Sequence, residues 1–103
     1  MQLDAEGYLL DPADWNEQVA EALAREEGIV LSVEHWAVIR FMREYYEQHQ
    51  IVPDVRHVMK HLAGLKGKDK AGRNDVFVLF PYGYVKQACR IAGMRKPRAW
   101  STG

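Results

Sequence analysis

The sequence predicts a mainly α-helical fold with a small β-hairpin at the N-terminus and an extended arm at the C-terminus. Three observations predict it. Apolar residues recur at helical spacing in four separate segments. Capping residues or prolines open the first three of these segments, and glycines close the first and the last. Only the first ten residues pair two short apolar pieces across a glycine-containing turn. A chain of 103 residues is long enough for one domain, 1–103, with a modest core.

In chain order, Met1–Leu3 and Tyr8–Leu10 flank Asp4-Ala-Glu-Gly7, the pattern of a hairpin that must pack on helices to persist. Asp11-Pro12 opens the first helix: Asp accepts from free backbone N–H groups, and Pro at the first helical position loses nothing. Trp15, Val19 and Leu23 form its apolar row, and it ends before Gly28. Ser32 caps a second helix, about Val33 to Gln48, apolar around most of its circumference and so expected as the buried centre. Pro53 opens a third, to about Leu65, with Val55, Val58, Met59 and Leu62 inward. Residues 64–74 read as a solvated loop; their glycines and lysines lack the Gly-Lys-Ser/Thr ending of a phosphate-binding loop. The apolar run at 75–80 suits a strand by composition and a helix equally by length.

The last helix runs between Gly83 and Gly93, the second closing it in the left-handed conformation that other residues avoid. Val85, Ala88, Cys89 and Ala92 follow i, i+3, i+4, i+7, which puts Cys89 on or beside the apolar face. Pro97 disfavours the helical region for Lys96, so residues 94–103 are expected as a mobile, extended, basic arm.

Charge divides the chain. Residues 1–51 hold three arginines against eleven acids, a formal −8, and residues 52–103 hold the balancing +8. Such asymmetry fits an interaction surface on the basic half and fits equally well two halves that neutralise each other in the fold. One cysteine excludes an internal disulfide and suits a reducing cytoplasm. The start Met1-Gln-Leu-Asp-Ala-Glu is acidic and unlike a signal peptide, and no apolar run is long enough to span a membrane. His57 and His61 lie one turn apart, but a metal site wants a third ligand, so they read as paired surface histidines. No cofactor motif is present.

The stretch Gln87-Ala-Cys-Arg-Ile-Ala-Gly-Met-Arg-Lys-Pro97 resembles the C-terminus of the DsrC/TusE family of sulfur-relay proteins. The resemblance extends along nearly the whole chain through Glu6-Gly-Tyr-Leu-Leu, Glu27-Gly-Ile, the run from Ser32 to Tyr46, Pro53-Asp-Val-Arg and Leu79-Phe-Pro-Tyr-Gly. It implies the hairpin packed on an orthogonal bundle of about five helices, with 75–80 helical. It implies a protein that docks by its arm on a sulfurtransferase or sulfite-reductase-type partner, with an indirect link to tRNA thiolation or to sulfur oxidation and reduction. The family carries sulfur as a persulfide on a penultimate arm cysteine, and the sulfite-reductase branch adds a helix cysteine. Cys89 matches the helix cysteine; eleven residues on, the arm position is Trp100.

Sulfur chemistry is therefore confined to Cys89. Lys86, Arg90, Arg95, Lys96 and Arg98 are the cations that would lower its pKa or meet a partner. The helix C-terminus and burial act the other way, so a reactive thiol and a half-buried, inert one both stand. Trp100, beside Arg98, is of the type that anchors interfaces. Two functions follow. One is a sulfur-relay component using Cys89. The other is a non-carrier module that competes for a partner or regulates sulfur genes, with Arg56, Lys60 and the 66–73 loop as its route to nucleic acid. No free-standing catalytic constellation is recognisable.

Overall fold

The structure is a computed structural model, described here for residues 2–67 and 73–95. Five helices and a single 3₁₀ turn form among these residues. They are α1 (Glu17–Glu26), α2 (Val33–His49), α3 (Val55–Lys66), α4 (Arg73–Leu79) and α5 (Tyr84–Cys89), the last wound with π-type hydrogen bonds. The short helix α4 lies where the family resemblance, rather than composition, placed one.

The expected hairpin does not form as a pair of strands. A single antiparallel bridge joins Leu3 and Leu9, and the Asp4 carboxylate takes the N–H groups of Glu6 and Tyr8 at 2.9 Å each. Segments of two or three residues make too few ladder bonds to pair as a sheet, and the aspartate ties the chain into a turn instead. The turn is held by the core: Leu9 is fully buried, and the Tyr8 hydroxyl donates to the Val85 carbonyl at 3.1 Å.

The first helix also starts later than its sequence suggests. Asp11 caps only the 3₁₀ turn Pro12–Asp14; Trp15 is then extended, and Asn16 caps α1 by accepting from the Val19 N–H at 2.9 Å. Helix α1 ends as expected. Gly28 takes φ +73°, and the Ile29 and Gly28 N–H groups bond back to the Ala24 and Arg25 carbonyls. Helix α2 is not buried all round. His35, Val38, Ile39 and Met42 face inward, whereas Val33 is 86% exposed and the aromatic rings are half-buried. Its rings lie along the flanks: Phe41 stacks on His61 at 4.4 Å and Tyr45 tilts against His57 at 5.3 Å, both from α3. The core joins Leu23, Ile39, Leu62, Phe80 and Ile91, all without solvent exposure.

His35 couples two of these elements. Its Nδ1 accepts from the Ser32 N–H at 3.0 Å, completing the cap of α2, so its Nε2–H donates to the Leu79 carbonyl at 2.8 Å. His35→Ala removes half of a helix cap and leaves the buried Leu79 carbonyl unpaired. We expect it to lower stability by about 2–3 kcal/mol. Urea unfolding measures this, and a loss below about 0.5 kcal/mol, the size of an ordinary surface change, contradicts it.

Candidate functional site

The only cysteine is inside the protein. Cys89 has no solvent exposure and packs in the main core with Met94. Burial pushes its thiol, which lies beside the Tyr84 hydroxyl, up to about 12. That hydroxyl is itself buried and donates to the Pro53 carbonyl at 2.6 Å. Burial and the thiol beside it raise the Tyr84 pKa far above the usual phenol range. The site is an apolar, closed one, the setting in which a cysteine is inert.

The cations expected to tune the thiol do other things. Lys86 is exposed on the outer side of α5. Arg90 ties three segments together: its Nε–H donates to the Gly7 carbonyl at 2.8 Å, one Nη donates to Glu26 at 2.6 Å, and the other pairs with Glu27. Gln87 completes this clamp, donating to Glu27 and accepting the Tyr82 N–H, both at 2.9 Å. Part of the charge asymmetry is thus spent inside the fold, basic half against acidic half. Arg95 is exposed, and Met94, expected as the first arm residue, is buried in the core. Lys96, Arg98 and Trp100 lie outside the described residues.

Two residues to which the sequence assigned no role at this site, Trp15 and Arg43, bond the end of the last helix. Four carbonyls close the last helix. Gly93, at φ +77°, lets its own N–H reach the Arg90 carbonyl at 3.1 Å and the Met94 N–H reach the Cys89 carbonyl at 2.9 Å. The remaining two are taken from a distance. The Trp15 indole N–H donates to the Ile91 carbonyl at 2.9 Å, and Arg43 donates to the Ala92 carbonyl at 3.1 Å. Arg43 also donates to the Pro12 carbonyl at 3.0 Å, and its guanidinium lies 4.5 Å from the centroid of the Trp15 ring. No carbonyl of this helix end is left open. The only sequence signal was indirect: a tryptophan and an arginine on the amphipathic segments, neither distinguishable from core or surface by period.

No group of three metal-binding side chains occurs among the described residues, where His57 and His61 instead face aromatic rings. Nor does any described helix have the length and apolarity to cross a membrane. A cleft of about 320 Å³ between the end of α1 and Trp36 is lined by Glu21, Ala24, Ile29 and Leu31 among others, and by none of the residues expected to act.

Residues 1–99 match the family model described as DsrC like protein. The chain belongs to the DsrC family. This DsrC-family chain is 45% identical over 94 residues to the Salmonella typhimurium protein named sulfurtransferase TusE, covering 91% of this chain and 86% of that one. Among solved structures it is similar to the oxidised gamma-subunit of the dissimilatory sulfite reductase (DsrC) from Archaeoglobus fulgidus. There the TM-score is 0.83 and the identity 39%, over 95% of this chain and 90% of the other. Allochromatium vinosum DsrC gives a TM-score of 0.81 at 46% identity, over 93% and 86%. These relatives make it a member of the sulfur-relay family and lend no support to the regulatory or DNA-binding reading. The DsrC-family fold in this chain places the helix thiol under cover and Arg95 at the surface.

Proposed function

We propose that this protein serves in a cytoplasmic sulfur-relay system by docking on a sulfurtransferase or sulfite-reductase-type partner through the basic residues beyond Met94, with Cys89 its only thiol for sulfur. The observation that carries the reading is the match of 91% of the chain to a curated sulfurtransferase TusE at 45% identity. The chemistry of Cys89 sets its form. Sulfur passes between thiolates, and a thiol near 12 is ionised to about one part in 10⁵ at neutral pH. With no exposed sulfur atom either, loading at Cys89 requires opening of the fold. Lys86, Arg95, Lys96 and Arg98 are the proposed partner contacts, with Trp100 the anchor at the position where the family carries its arm cysteine. Arg90, held by Glu26, Glu27 and Gly7, positions the end of the domain.

Incubation with a polysulfide donor, followed by intact mass measurement, tests the sulfur step. The folded protein is expected to stay at its parent mass while the same protein in denaturant gains sulfur on Cys89. Trp100→Cys is expected to gain sulfur in the folded state, at residue 100. Rapid addition to Cys89 of the folded parent would overturn the sealed-thiol reading; failure of Trp100→Cys to load would overturn the claim that the arm is the family's sulfur-bearing position in this chain.

A further inference from the structure

The docking function requires the arm to leave the domain at a defined place, and the closure of α5 shows what defines it. Two of the four terminal carbonyls are bonded by the turn itself, as in many helices. The other two are held by side chains from a remote segment, Trp15 from before α1 and Arg43 from α2. Arg43 alone spans three parts: the Ala92 carbonyl, the Pro12 carbonyl and the Trp15 ring. Its positive charge at the negative end of α5 is favoured by the helix dipole, although burial lowers its pKa from the usual arginine value. The Trp15 ring also stands against Gly93: a Cβ there would come within 2.5 Å of it. The ring therefore leaves room at residue 93 for glycine alone.

From this geometry we infer that Trp15 and Arg43 are positioning residues for the arm, fixing the point and direction at which the chain beyond Met94 meets a partner. The inference rests on the docking function proposed above. Its energetic role is preorganisation: a segment that leaves a fixed helix end loses less freedom on docking than one that leaves a frayed end. A planar guanidinium suits the task because it presents donors to two carbonyls at once and stacks on the indole; lysine supplies a single point charge.

The test is made on the free, full-length protein, so its outcome is independent of whether any partner or sulfur donor is engaged. Nitroxide labels are placed at Arg95→Cys and Val33→Cys, two exposed positions, while buried Cys89 stays unlabelled. The distance distribution between them is measured well below the unfolding temperature in the parent, Arg43→Lys, Arg43→Met and Trp15→Phe. Arg43→Met is expected to widen the distribution about twofold, as a freed helix end frays, with Arg43→Lys intermediate. Trp15→Phe keeps a ring against Gly93 and loses only the bond to Ile91, so it is expected to widen the distribution less. A lowered melting temperature with distributions that superimpose on the parent would show that the two residues only stabilise, and would overturn the inference. If Arg43→Met does not fold, Trp15→Phe decides by the same criterion.

Discussion

Raising the pH above about 9 is expected to unfold this protein steeply. Three weak acids, Tyr8, Tyr84 and Cys89, are buried on or against α5. Cys89 is pushed from its usual 9 to about 12, Tyr8 from 10 to about 12, and Tyr84 further up, each chiefly by burial. All three have folded-state values above their unfolded ones, so the folded chain keeps protons that the unfolded chain releases. Their contribution is whole below about pH 9 and declines from there as pH rises through the folded values. Between about pH 10 and 12 the folded state holds up to three extra protons, which gives a slope of about 4 kcal/mol lost per pH unit. A domain of this size has about 5–15 kcal/mol in total, so the transition is expected within that window. Urea melts in steps from pH 7 to 12 measure the slope. Cys89→Ala removes one of the three acids and should reduce the slope by about a third. Stability constant to pH 12 in the parent would show that these groups are not sealed from solvent.

The burial behind that prediction is also what the sequence concealed. Reading Val85, Ala88, Cys89 and Ala92 at i, i+3, i+4, i+7 presumes an α-helix, in which a residue beside the apolar stripe is half-buried. In the structure residues 84–89 bond in the wider π manner, and Tyr84, Val85, Gln87, Ala88 and Cys89 are all buried, with Lys86 alone outward. A local change of winding leaves no mark in spacing, so the thiol's environment was not legible. The helix ends were, because a left-handed residue is a backbone requirement that glycine meets almost alone: Gly28 and Gly93 both stop their helices as expected. Trp15 was misplaced for a related reason. Asp11 caps only a 3₁₀ turn and Asn16 caps α1, so Trp15 is extended between them and its indole N–H bonds the Ile91 carbonyl. The all-round apolar character of α2 also misled. Phe41 and Tyr45 lie against His61 and His57 at the seam with α3, and Trp36 and Tyr46 are only partly buried against the core.

On the function proposed above, sulfur relay and fold stability are separated in this chain. In a two-thiol relay the helix cysteine must be reachable by the arm. Here residue 100 is tryptophan, so the chain carries no arm thiol there to meet, and Cys89 acts as a small apolar side chain under the last turn. What the fold continues to specify is the end of α5, and the Gly93 position is where that specification is most sensitive.

Gly93→Ala is expected to be among the most damaging single substitutions available. Two terms add. The residue has φ +77°, which costs an alanine about 1 kcal/mol, and its new Cβ would lie within 2.5–2.9 Å of three atoms of the Trp15 side chain. The ring cannot swing aside cheaply, because its indole N–H is bonded to Ile91 and the Arg43 guanidinium stacks on it. Overpacking of this kind typically adds 1–3 kcal/mol, for a total of about 2–4 kcal/mol and a fall in melting temperature of about 8–30 °C. Gly28→Ala is the internal control. Gly28 closes α1 with φ +73°, but nothing lies within 4 Å of its Cβ position, so only the backbone term of about 1 kcal/mol is expected. Thermal melts of the two variants, with Trp15→Ala alone and combined with Gly93→Ala, separate the terms. In the cycle the added cost of the alanine should fall to the Gly28 level once the ring is gone, a coupling of about 2 kcal/mol. Equal losses for Gly93→Ala and Gly28→Ala would mean that Trp15 does not bear on the turn, and the clamp at the base of the arm would lose its main support.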